Sequence, residues 1–466
     1  MTLPDPFEPT IEEPRRIVGP DDDAEANEPR GALAVLRNRN FLLLWLAQAS
    51  TQIGGNMVVY GLTVLIFHAT QSTSAVSLLL LTFLAPAVFF SAVAGVYVDR
   101  LDRRLILIVT NLLRAVFFAL VFVAGGNIGV IFILNVCIST VTTFFAPAEA
   151  AMIPVLVPRG QLLAANGLFT FTQNAAFALG FALLGPLVVN LAGSDTLILT
   201  VAALYLVAMV FTITLPSVPA ASDGLSAAAA VHDTERAVAS VFNELRDGLT
   251  YIRAHRNVTW SLVYLGITAS LIGVLGVLGP GFAKETLGLA EKDFVVVVLP
   301  LGMGIVTGIL LLNSYSRFFP PRRLMEGGLV ALGVLLAALS AAGPISRFLQ
   351  RAGAATPLDL SAVVSLLAVV VGIAFLAGIA YALVAIPAQT GLQEELPEEV
   401  RGRVFGVLNM LVSVASFVPI IVVGLITEVV GTTVVIVFVG LLVALAGVVS
   451  VLTRRPGAAA ATDGGG

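Results

Sequence analysis

Apolar residues in this chain fill whole segments instead of recurring on one face of short helices. From Phe41 to Thr453, long aliphatic runs with almost no charge follow one another, separated by short turns rich in glycine, proline and charge. Twelve such segments can be placed, near 41–67, 75–97, 105–125, 129–156, 162–190, 196–215, 258–282, 294–315, 323–343, 360–387, 403–427 and 431–453. Each is close to the ~20 residues that an α-helix needs to cross a bilayer. Hydrocarbon offers no partner to a backbone N–H or C=O, so each run must satisfy its own, and a barrel would need short alternating strands instead. The pattern predicts an all-α integral membrane protein with twelve transmembrane helices.

The polar interruptions organise these helices. The longest, 216–257, divides them six and six; it opens Pro216-Ser217-Val218-Pro219 and ends in a predicted amphipathic helix with Val241, Leu245, Leu249 and Ile252 on one face. The two halves echo each other. Pro147-Ala148-Glu149 runs into Pro158 and Arg159, and Pro387-Ala388-Gln389 runs into Pro397 and Arg401, as expected of two six-helix repeats. The organisation read from this is an acidic, disordered tail at 1–36, one six-helix half at 37–215, a cytoplasmic linker at 216–257, a second half at 258–455 and a disordered tail at 456–466. With the N-terminus inside, 20 of the 25 lysines and arginines fall on the inner side, and only Lys284, Lys292, Arg347 and Arg351 fall outside. That asymmetry predicts a multi-pass protein of the cell membrane with both termini cytoplasmic.

Composition narrows the function classes. The chain is 58% hydrophobic and 12% charged, against roughly 25% charged in soluble domains, with a mean hydropathy of +0.98. A net charge of −4 gives nucleic acid nothing to hold. The single Cys137 lies in an apolar stretch and reads as a small hydrophobe. His68, His232 and His255 are scattered with no ligand spacing, and no Gly-x-x-x-x-Gly-Lys-Ser/Thr phosphate loop is present. Neither an enzyme, a metal site nor ATP-driven transport is expected. No cofactor is implied; a proton gradient would be the energy source.

One charged hinge stands out. Gly95-Val-Tyr-Val-Asp99-Arg100-Leu-Asp102-Arg103-Arg104 sits between two apolar runs, a tight helix-to-helix turn at a membrane surface. The spacing of Gly95, Asp99, Arg100, Arg103 and Arg104 resembles the loop between helices 2 and 3 of the major facilitator superfamily. Three further stretches resemble its drug and siderophore exporters, the branch that includes macrolide-efflux and enterobactin-exporter proteins. They are Asn40-Phe41-Leu-Leu-Leu-Trp45-Leu-Ala-Gln48, Ala165-Asn166-Gly167, and Gln393 to Phe405 with its Pro397, Arg401-Gly402-Arg403 core. Two departures bear on coupling. Those exporters commonly carry Gly-Asp in helix 1 where this chain has Gly54-Gly55-Asn56, and Gly185-Pro186-Leu-Val-Val189 keeps only half of the antiporter glycine motif.

Candidate chemistry lies inside the helices. Arg114 is about ten residues into the third segment, about 15 Å deep at 1.5 Å per residue, where an unpaired cation costs several kcal/mol. Glu149 in the fourth segment reaches a similar depth. The two form either a structural ion pair or a proton- or substrate-binding pair, and Glu149 is the one obvious intramembrane carboxyl able to cycle a proton. Gln48, Gln52, Asn56 and Tyr60 recur every four residues on the first helix, so they share a face. Asn135, Ser139 and Thr142 on the fourth helix, Asn166, Thr170, Gln173 and Asn174 on the fifth, and Gln389 on the tenth complete the stripes expected to point inward. Asp99 and Arg100, Arg103 and Arg104 are read as a latch that gates the inner face. The reading is an exporter: a monomeric secondary transporter in membrane lipid, moving an amphiphilic drug-like or siderophore-like molecule by alternating access, with proton antiport resting on Glu149. A lysophospholipid or lipid-precursor flippase and a non-transporting sensor or scaffold remain as alternatives.

Overall fold

The computed structural model describes residues 32–217, 256–315, 320–354, 365–395 and 417–453. Every regular element among them is helical. The tails, the linker with its expected amphipathic helix, Arg401 and Arg403, and the first part of the eleventh segment lie outside the described residues.

The first four spans are α1 (Arg39–Thr70), α2 (Thr73–Arg100), α3 (Arg103–Val123) and α4 (Ile128–Leu156). Each begins at a side chain that satisfies otherwise orphaned N–H groups: Asn38, Ser72, Asp102 and Asn127 all accept from the first turn of the helix that follows. The fifth span starts as α5 (Leu162–Ala176), passes through a π-helical stretch at Phe177–Leu184 and continues into α6 (Gly185–Ile213). α6 breaks at Gly193, whose φ of 84° suits glycine, and the sixth span follows that break.

The second half contains α7 (Arg256–Gly281), α8 (Val295–Tyr315), α9 (Pro321–Ser340), α10 (Leu366–Glu395), α11 (Phe417–Val430) and α12 (Thr432–Leu452). Two features stand out in this half. α7 ends at Gly281 and passes into a π-helical turn at Phe282–Thr286, and a methyl group on Gly279 would stand 2.6 Å from the Phe294 ring. Between α9 and α10 a thirteen-residue amphipathic helix spans Ala342–Ala354.

Among the described residues nine helices are long and apolar enough to cross a membrane. Without a hydrophobic drive between helices in lipid, close approach must come from small residues and interhelical hydrogen bonds. Both are present. A methyl group on Gly180 would stand 2.6 Å from the carbonyl oxygen of Ile53, one on Gly304 2.0 Å from that of Phe375, and one on Gly333 2.3 Å from the amide nitrogen of Ala444. These glycines let backbone touch backbone at the α1–fifth-span, α8–α10 and α9–α12 crossings. Asn135 Nδ2 donates to Leu79 O at 3.2 Å and to Thr82 Oγ1 at 3.0 Å, and Ser139 donates to Phe83 O, fastening α4 to α2.

Candidate functional site

Arg114 is 2% exposed, in the bundle made by α1, α3, α4 and α6. Its guanidinium carbon lies over two rings, 4.2 Å from the Phe145 centroid on α4 and 4.6 Å from that of Tyr205 on α6. Tyr205 in turn stacks on Phe118, one turn beyond Arg114, at 5.5 Å. The same guanidinium donates to Asn111 Oδ1 at 2.7 Å and, through Nε, to Thr110 O at 3.3 Å. A desolvated cation is thus held by two π faces and two oxygens, which is how an arginine can persist where lipid would reject it.

Glu149 lies one turn beyond Phe145 and is 7% exposed. Its Oε1 accepts no hydrogen bond. Arg114 and Glu149 therefore occupy one buried neighbourhood, but the arginine is occupied by rings and α3 oxygens instead of a direct ion pair. A carboxyl with an unsatisfied oxygen beside a fixed cation can hold or release a proton at low structural cost, because no partner is orphaned by the change.

The first-helix stripe divides. Gln48 turns to the fifth span, donating to Phe169 O at 3.4 Å, while its Oε1 is unpartnered. Asn56 donates to Gln52 O within α1 at 2.8 Å. Tyr60 is fully buried, stacks on Phe294 at 4.6 Å and donates to Lys292 O at 2.5 Å, so it joins the two halves. Gln173 is exposed and Gln389 half-buried; the side chain of Asn174 lies outside the described residues. Of the nearby phenylalanines, Phe145 serves Arg114, Phe169 packs on Phe41, Phe177 stacks on Phe181, and Phe171 is 68% exposed.

At the charged hinge, Arg103 donates to Ala151 O on α4 at 3.1 Å and Arg104 to Ile213 O at the end of α6. Asp102 accepts from Ser217 at 2.5 Å. These contacts cap the carbonyl ends of neighbouring helices. A methyl group on Gly95 would meet nothing within 4 Å, and the side chain of Asp99 lies outside the described residues.

A polar cluster that sequence reasoning missed sits at the opposite end. Glu291, before α8, accepts from Lys284 at 3.0 Å and from Gln71 at 3.2 Å, with His68 Nδ1 at 3.7 Å. Glu428 on α11 accepts from Ser72 and from the Ser74 backbone at 3.1 Å. Ser77 Oγ donates to Ile420 O at 2.9 Å. The turn between α1 and α2 is thus gripped by two carboxylates of the second half. Toward this Gln71 end the halves are joined by hydrogen bonds of Tyr60, Gln71, Ser72, Thr73, Ser74 and Ser77. Single charges at segment ends gave no sign of these pairings, and those between the halves join residues more than two hundred positions apart.

A second missed cluster is internal to the second half. Glu326, 2% exposed, accepts from Arg322 Nε at 2.9 Å and from Ser450, whose hydroxyl meets Tyr264 OH at 2.5 Å.

The model of the Major Facilitator Superfamily matches residues 44–418. The chain belongs to that superfamily. Its solved relatives in shape include the nucleoside transporter NupG, at a TM-score of 0.63 and 14% identity over 89% of this chain and all of that one. Among curated proteins, macrolide efflux protein A of Streptococcus pyogenes is 23% identical over 84% of this chain and 90% of its own length. The multidrug efflux pump Tap of Mycolicibacterium fortuitum is 24% identical over 89% and 95%. The fold is the all-α, membrane-spanning one of transporters.

Proposed function

We propose that this chain is a secondary active exporter of an amphiphilic small molecule, working by alternating access and exchanging its substrate for protons at Glu149. The observation that carries the coupling is the buried Glu149 carboxyl, whose Oε1 accepts no hydrogen bond although Arg114 is held close by. Efflux in the names of two relatives supports the direction. The hydrogen bonds that join the halves at the Gln71 end support that gate being shut. With the arginine-rich Arg103 end taken as cytoplasmic, this is the loading state of an exporter. In this reading Arg103 and Arg104 brace α4 and α6, and Gln52, Asn56, Gln173 and Gln389 face the path.

The test is substrate flux into everted vesicles or proteoliposomes under an imposed pH gradient. Glu149→Gln should abolish gradient-driven flux while ligand binding persists. Equal flux in wild type and variant would remove the basis for antiport.

One observation favours a lipid-like substrate class. A cavity of about 940 Å³ opens between α7, α11 and α12, lined by Val263, Leu271, Val422, Ile426, Phe438, Leu442 and similar hydrocarbon side chains. An acyl chain would suit it. Competition of dye efflux by lysophospholipid, but not by macrolide, would favour a flippase over a drug exporter.

A further inference from the structure

The helix Ala342–Ala354 has a face that the bundle does not use. Ala342 and Ser346 are buried against the neighbouring spans, while Pro344, Arg347, Phe348 and Arg351 are exposed, Phe348 at 69%. Arg347 and Arg351 are four residues apart, so their side chains stand one above the other, with the Phe348 ring beside them. Among the described residues neither arginine has a hydrogen bond or ion pair, and the helix carries no acidic residue. It leaves α9 at Ala341, where φ and ψ of −92° and 14° end the span, and so begins where the chain emerges from hydrocarbon.

We propose that this helix is a docking surface for anionic phospholipid headgroups. Two unpaired guanidiniums matched to lipid phosphates, with an aromatic ring at the level of the acyl boundary, are the chemistry of an interfacial helix. Arg347 and Arg351 hold phosphate oxygens, Phe348 seats among the glycerol and first methylenes, and the contact anchors the α9–α10 connection. Basic residues at this end run against the distribution in the rest of the chain, so they call for an anionic partner of their own.

The experiment uses the full chain in detergent, with phosphatidylglycerol or phosphatidylcholine added and bound lipid counted by native mass spectrometry. Wild type should retain phosphatidylglycerol preferentially. Arg347→Gln/Arg351→Gln should weaken that retention by about thirty-fold, from ~1 kcal/mol per arginine, and the double lysine variant should restore most of it. Phosphatidylglycerol retention unchanged in a folded double glutamine variant would overturn the proposal. Should that variant not fold, a spin label at Phe348→Cys in a Cys137→Ser background decides the matter. In anionic nanodiscs the label should be accessible to oxygen and shielded from a water-soluble nickel chelate; equal access to both would overturn the proposal.

Discussion

Arg114 concentrates the physical chemistry of this protein into one side chain. Two ring faces and two oxygens stand in for the water it has lost, and its flat guanidinium is what allows both rings to approach. Arg114→Ala should lower stability by about 2–4 kcal/mol, from lost cation–π contacts and the cavity left behind. Arg114→Lys keeps the charge but cannot stack on two faces, and should fall between. Thermal unfolding in detergent, followed by native fluorescence, measures both; equal melting temperatures for alanine and wild type would refute the account. Gly95 makes a different point. A methyl group there meets nothing within 4 Å in this conformation, so Gly95→Ala should fold as well as wild type. If the hinge end closes during transport, the variant should bind ligand yet lose flux.

At the level of elements, glycine decides which helices touch. Gly304 and Gly378 bring α8 and α10 into backbone contact, with methyl positions 2.0 Å from Phe375 O and Leu301 O. Gly304→Ala should cost about 1–3 kcal/mol by overpacking. Gly327→Ala on α9, where a methyl group meets nothing, should be neutral or stabilise by about 0.5–1 kcal/mol. Paired melting curves test the contrast. The helices themselves were legible in the sequence because length and apolarity alone determine a span. Arg114 and Glu149 were legible because charge is expensive in hydrocarbon. Tyr205 was not, since one tyrosine among aliphatic residues carries no mark of the cation it will face. The stripe on α1 left two readings open for a related reason: a glutamine such as Gln48 looks the same in sequence whether it lines a path or binds the next helix. The amphipathic helix at Ala342–Ala354 was hidden by its shortness and its place between two long runs.

For the whole molecule, the grip on the α1–α2 turn determines which end is shut. Exposed polar contacts of this kind contribute roughly 0–1 kcal/mol each, so Glu291 and Glu428 together hold the halves by about 2 kcal/mol at most. Such a bias is enough to shift a two-state population by one or two orders of magnitude. Glu291→Gln/Glu428→Gln should therefore favour the opposite conformation. Falling pH should act in the same direction, because a protonated carboxyl no longer offers Gln71 and Ser74 a charged acceptor. Spin-label distances between Ala69→Cys and Ala290→Cys in a Cys137→Ser background should lengthen in both cases; an unchanged distribution would show that packing alone holds this end. The latch has a pharmacological consequence as well. Its carboxylates meet the turn in an aqueous phase, well away from Arg114 and Glu149. A binder that clasps Gln71 and Glu291 would arrest turnover without competing for the transported molecule. Its inhibition would be noncompetitive, and no excess of substrate would relieve it.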